Sequence, residues 1–243
     1  MAFNENSVDK PIIYLHLDTE TSGLNPDTCG LIEVAGLFEM NGQILNEFEL
    51  LINPYTYPFQ VEVQEKALSV NNRTVPEIQT FNDQATCLNW LIDISQYLIN
   101  QYGANRIFIV GYNVKFDVDF IQAWFKVNNK KFVETFQYKF IDVLQLIMTL
   151  SYLEILDPFD NNLKDMCLKF DVDLTNAHTA IADIRATRDL FHKLIASMNF
   201  INLMRPTDQV INGSVLNSLN QWVSKPMAKK LGIEQINTKP KFG

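Results

Sequence analysis

Ile12-Ile13-Tyr14-Leu15-His16-Leu17-Asp18-Thr19-Glu20-Thr21-Ser22-Gly23-Leu24 opens as an apolar run and closes on two acids and a turn. The first half is β-branched and aromatic, as a buried strand requires. Ser22-Gly23 is a turn signal. Side chains alternate along a strand, so Asp18 and Glu20 point to the same face. Two negative charges at the end of a buried strand repel each other unless a proton or a cation sits between them. Mg²⁺ and Mn²⁺ are hard cations that take oxygen ligands. On this stretch alone, a metal-holding pair and a strand end whose acids fray into water stand as equal readings.

Outward from this strand the pattern is mixed. Leu31 to Phe38 reads as a second strand, and Asn41-Gly42 as a tight hairpin turn into a third, Ile44 to Ile52. Asn53 to Thr80 carries three prolines and reads as an irregular connection with a short helix over 63–68. Leu88, Leu91, Ile92, Ile94 and Leu98 recur at helical spacing within 81–101, which Gly103 ends. A short strand is expected over 106–110, a helix over 114–127 and an edge strand over 136–140. Further helices follow over 142–153, 162–170 and 179–198. The fold class is therefore α/β: a mixed five-stranded sheet, an antiparallel meander plus parallel strands, with helices on both faces.

The 243 residues divide into a loose N-terminus (1–10), one domain (11–200) and a C-terminal helix with a basic tail (201–243). A hydrophobic fraction of 47% suffices for a sizeable core. No apolar run approaches the roughly 18–20 residues that span a bilayer, and Met1 to Asn6 lacks the features of a signal peptide. A cytoplasmic location is expected, or a nuclear one in a host with a nucleus, with no membrane partner. Cys29, Cys87 and Cys167 are scattered and odd in number, which fits reduced thiols. The net charge of −8 weighs against a broad phosphate-gripping surface. The five lysines between Lys225 and Lys241 are the exception. That tail reads as a solvated end or as a partner-binding surface.

Two more acids stand where irregular chain meets a helix. Asp117 falls in a first helical turn after a buried strand, where an open sheet places ligands. It could equally answer the helix dipole. His178 precedes a long helix and Asp183 lies in its first turns, flanked by the small Ala180 and Ala182.

Taken as a set, these segments resemble one family. Asp18-Thr19-Glu20-Thr21-Ser22-Gly23-Leu24, then Asn113 with Phe116-Asp117, then His178 with Asp183 are similar to the three blocks of the DEDDh 3′-to-5′ exonucleases. These include the proofreading epsilon subunit of DNA polymerase III and ribonuclease T. Ile141-Asp142-Val143-Leu144 matches a further family stretch, and the resemblance covers about residues 11–198. The tyrosine variant of the superfamily would place Tyr at position 179, which is Thr179 here.

The resemblance implies a ribonuclease H-like fold and two-metal phosphodiester hydrolysis at 3′ ends, releasing nucleoside 5′-monophosphates. It implies that Asp18, Glu20, Asp117 and Asp183 hold two Mg²⁺ or Mn²⁺ ions, Asp18 bridging, with His178 as general base. It implies substrate contacts at Thr21, Ser22, Leu24, Asn113 and Phe116. The expected partner is a single-stranded 3′ end, DNA ahead of RNA, with a polymerase as a further partner through the C-terminal region. Tyr112 stands where the family often has His. The alternatives are an RNA-trimming exoribonuclease, or a non-catalytic module of the same fold that binds a polymerase or nucleic acid.

Overall fold

The computed structural model describes residues 10–153, 156, 162–174 and 180–203, with side chains as far as residue 198. It divides into two compact units. The described part of the first comprises residues 10–142 and 180–185; that of the second, the described residues of 143–174 and 186–203.

Among the described residues the first unit carries a six-stranded sheet in the order β4-β3-β2-β1-β5-β6. β1 (Ile13–Thr21), β2 (Leu31–Met40) and β3 (Gln43–Asn53) form the expected antiparallel meander. Asn41 (φ 51°) and Gly42 (φ 80°) supply the two positive φ angles that a two-residue hairpin needs. β4 (Asn82–Asp83) is a two-residue strand parallel to the end of β3 and absent from the expected set. β5 (Ile107–Gly111) runs parallel to β1, and β6 (Ile141–Asp142) parallel to β5.

The connection after β3 is more ordered than its prolines suggest. It holds a 3₁₀ turn at Pro54–Thr56, α1 (Glu65–Val70) and α2 (Val75–Ile78), where one short helix was expected. The Thr74 and Glu77 capping box starts α2. α3 (Gln84–Tyr102) is capped by the Asp83 carboxylate and closed by Gly103 in the left-handed region. α4 (Lys115–Val127) follows β5.

The edge strand expected over 136–140 is corrected. Phe132–Thr135 is a short helix, α5, Phe136 makes only an isolated bridge to Ile107, and pairing resumes at Ile141. Phe132 and Phe136 lie four apart, 5.3 Å from each other between centroids, and meet Phe125 edge-on at 5.7 and 5.8 Å. Helical spacing thus serves the core better than strand pairing would.

β2 is buried along both faces. Val34 and Phe38 join Ile13, Leu15 and Leu17 of β1 in the main core, under residues of α3 and α4. On the other face Ala35 and Leu37 pack with Ala180 and Ile184 at the start of α8 (Ala180–Leu203). A methyl group added at Gly36 would lie 2.4 Å from the Phe48 ring, so this strand tolerates nothing larger there. The three cysteines are buried and none forms a disulfide among the described residues.

The second unit holds α6 (Val143–Tyr152), α7 (Leu163–Lys169) and the later part of α8. Asn162 caps α7 by accepting from the Asp165 N–H, and Lys193 of α8 donates to the Phe170 carbonyl at 2.8 Å. α8 continues five residues past the expected end at Met198. The expected loose N-terminus, but for Lys10, and the helix and basic tail beyond 203 lie outside the described residues. No helix among the described residues is long and apolar enough to cross a membrane.

Candidate active site

Strand alternation places His16, Asp18 and Glu20 on the β1 face that looks toward Ala35 and Leu37, where α8 begins. Asp18 sits opposite Ala35 and Glu20 opposite Glu33 in the β1–β2 register. Both are half-buried. Thr19, between them, faces the main core, and there it meets α4. Its N–H and its hydroxyl both donate to Oδ1 of the buried Asp117, at 2.9 and 2.7 Å. The first turn of α4 is thereby tied to the end of β1 across 98 positions of chain. Asp183 stands at the fourth residue of α8.

The acids act on one another. Burial, and then the charges of Asp117, Glu20, Asp183 and Glu33, hold the Asp18 carboxyl well above the ordinary range. Burial first, then Glu33 and Asp183, push Glu20 up to about 7, against the opposing pull of Arg73. Burial raises Asp117 as well, and the two hydrogen bonds from Thr19 offset part of that. Each carboxylate thus feels charges from other elements, so acids of β1, α4 and α8 lie near one another. Among the described residues no three of the four have oxygens all within 4.8 Å of one another. Hard oxygen donors that repel each other in this way suit Mg²⁺ or Mn²⁺.

Beside the acids lies a cleft of about 260 Å³ whose lining includes Glu20, Thr21, Leu24, Lys66, Asn71 and Phe116. Leu24 is 78% exposed. Phe116 is half-buried, with its ring 5.0 Å from that of Phe120. Ser22 is placed differently from these. It is fully buried, its N–H donates to the Gly30 carbonyl, and its own carbonyl accepts from Gln64. Its hydroxyl donates to Glu62 and accepts from Gly30. Ser22 therefore shapes the loop that carries Leu24. Asn113 is exposed, in the left-handed region at φ 56°, with its N–H on the Asp142 carboxylate at 3.0 Å. His178 lies outside the described residues.

Several participants were not foreseen. Thr19 orients Asp117. Gln64 and Asn71, which flank α1, fasten the loop by donating to the Ser22 and Thr21 carbonyls, at 2.8 and 3.1 Å. Arg73 donates to Glu33 at 2.8 Å and to Glu77 at 2.7 Å, and lies over the Phe81 ring. Glu33 was the legible clue, a lone acid inside an apolar strand that must find a partner. Arg73→Met leaves this carboxylate, 4% exposed, without its cation. A stability loss of about 2 kcal/mol is expected in metal-free urea denaturation, below the usual cost because Arg73 is partly solvated. Adding Glu33→Gln should recover most of it. Equal instability of the single and double variants would exclude the pair as the cause.

The sequence profile of the exonuclease family RNase_T matches residues 15–191. The PolC-type DNA polymerase III of Bacillus subtilis is 30% identical over 183 residues, covering 75% of this chain and 11% of that protein. Its counterpart from Thermotoga maritima is 24% identical over 192 residues, covering 79% and 12%. The chain thus spans about a tenth of the length of these curated relatives. Among solved structures, E. coli Exonuclease I in complex with a dT13 oligonucleotide superposes with a TM-score of 0.59. That match has 19% identity and covers 79% of this chain and 43% of the other, a likeness of fold. A product-bound exonuclease I gives the same TM-score at 17% identity, over 79% and 46%. The profile runs from β1 into α8 and takes in more than half of the residues, and on that extent this chain belongs to the RNase_T exonuclease family.

Proposed function

We propose that this chain is a 3′-to-5′ exonuclease that removes nucleoside 5′-monophosphates from single-stranded ends, DNA ahead of RNA. The observation that carries the reading is the convergence of Asp18, Glu20, Asp117 and Asp183 beside a cleft edged by the exposed Leu24. These four acids would hold two Mg²⁺ or Mn²⁺ ions, with Asp18 shared. Bound there, the ions supply positive charge at the scissile phosphate and acidify water. Thr19 keeps Asp117 turned toward the site. Leu24 wedges beside the terminal base, Phe116 lines its other side, and the Thr21 backbone and Asn113 amide contact the strand. His178, just ahead of α8, takes the proton of the attacking water, a task suited to a group with an ordinary pKa of about 6.5.

The domain is assigned to residues 11–200. The relatives favour DNA: the exonuclease I neighbour is described with a deoxythymidine oligonucleotide, and the curated relatives are DNA polymerases. The same kinship supports a polymerase partner, for which the segment beyond 200 is the proposed contact.

The test uses 5′-labelled single strands of DNA and RNA of one sequence with Mg²⁺ or Mn²⁺. Stepwise shortening from the 3′ end, abolished by a chelator, is expected, and faster on DNA. Binding of either strand with no shortening in Mn²⁺ would favour the non-catalytic module, and faster cleavage of RNA would reassign the substrate.

A further inference from the structure

A second hollow lies in the first unit, lined mainly by α4 and α5. We infer that it is a track for the nucleic-acid strand beyond its terminal nucleotide, with phosphates on Lys126, Lys130 and Lys131 and bases against the apolar floor. The inference rests on the nuclease reading above and extends it to how the substrate is gripped.

The hollow has a volume of about 520 Å³. Ala123, Phe132, Val133 and Pro26 form apolar floor and wall, and the three lysines line it at the C-terminal end of α4 and the start of α5. Two stretches of chain join its lining to that of the cleft. Leu24 lines the cleft and Pro26, two residues on, lines the hollow. Phe116 lines the cleft and Asp119 and Lys126, further along the same helix, line the hollow. Phe116 and Lys126 are ten residues apart, about 15 Å along the axis at 1.5 Å per residue. The lysines are thus set back from the acids by the span of a short strand.

The charges suit this occupant. Asp119 is paired with Lys115. The ammonium groups of Lys126 and Lys130 have no ion-pair partner among the described residues. Lys131 pairs with Glu134 at 3.0 Å, both well exposed, an interaction weak enough to yield to a phosphate. In a chain of net charge −8, three lysines on one hollow, against Asp27 and the Lys115-paired Asp119, answer how an acidic protein holds a polyanion: locally. An apolar floor with a cationic rim is the surface on which single strands stack and track.

The competing explanation is a solvated helix end whose lysines complement the dipole. The triple variant Lys126→Gln/Lys130→Gln/Lys131→Gln separates the two, assayed on a dinucleotide and on a long labelled single strand. Expected are a roughly tenfold rise in KM for the long strand and unchanged kcat/KM for the dinucleotide. The salt dependence of strand binding should become shallower by about 0.7 per lost contact. The corresponding triple arginine variant should keep wild-type values. An unchanged KM and salt slope on the long strand, with melting behaviour intact, overturns the track. A protein that hydrolyses neither substrate overturns the nuclease reading instead, and fluorescence anisotropy of the long strand then still tests the lysines.

Discussion

Asp18→Asn is expected to reduce hydrolysis by about a thousandfold or more and, without metal, to make the protein more stable than the wild type. The first effect follows from position. Asp18 is the acid on which the charges of Asp117, Glu20 and Asp183 all act, so it stands nearest the centre of any shared ion pair. A metal centre supplies several kcal/mol of transition-state stabilisation, and each 1.36 kcal/mol is about tenfold in rate. The second effect follows from repulsion. Asparagine keeps the shape and removes a carboxyl that burial and like charges disfavour, whether it is ionised or forced to carry a proton. A gain of about 1–2 kcal/mol corresponds to a rise of roughly 2–8 °C in melting temperature for a chain of this size. Scanning calorimetry in chelator and in Mn²⁺ reads both parts. The wild type should gain stability with Mn²⁺ and the variant should not, because a ligand stabilises only through the site it binds. A variant that melts below the wild type in chelator, or that keeps the full Mn²⁺ gain, would sink the carboxylate cluster.

What could be read from the residues and what could not divides along sequence separation. β1 was legible because alternation is local: the period of two puts Asp18 and Glu20 together without reference to any other element. The Asn41-Gly42 hairpin and the end of α3 at Gly103 were legible for the same reason, since each is settled within a few residues. Asp117 could be placed in a first helical turn, but not its anchoring by Thr19, which needs two elements 98 residues apart to meet. The tie of Arg73 to Glu33 carried no local signal, because the two stand 40 residues apart. The anchoring of Ser22, which the family resemblance puts among the substrate contacts, was equally beyond local reading: the loop folds back on Gly30 and Glu62, and its hydroxyl, N–H and carbonyl are all engaged there or by Gln64. The aromatic run near 132–140 misled because Phe is equally at home on a strand and in a core. Only the packing with Phe125 decided for α5.

Without metal, stability should fall as pH rises from about 4.5 to 7, the reverse of the behaviour of a protein whose acids are salt-bridged. Glu20 carries the argument, since burial, Glu33 and Asp183 raise it from an ordinary 4.5 to about 7. Between those values the folded chain holds a proton that the unfolded chain has already released. The native state therefore binds more protons, and the free energy of unfolding decreases with pH across that window. The contribution is complete below pH 4.5 and lost by about pH 7. At about 1.36 kcal/mol per unit, and discounted for partial exposure, Glu20 alone accounts for about 2 kcal/mol. Asp18 and Asp117 shift in the same direction and add to it. Arg73 works against the trend by pulling Glu20 down, so Arg73→Met should steepen the fall. With saturating Mn²⁺ the sign should invert, because ligating carboxylates must be deprotonated and binding then strengthens with pH. Urea denaturation at about pH 4.5, 6 and 7.5, in chelator and in Mn²⁺, reads the two slopes directly. A metal-free stability that climbs steadily over this range would mean that the acids at the end of β1 are solvated and separate, and that no ion is needed to hold them together.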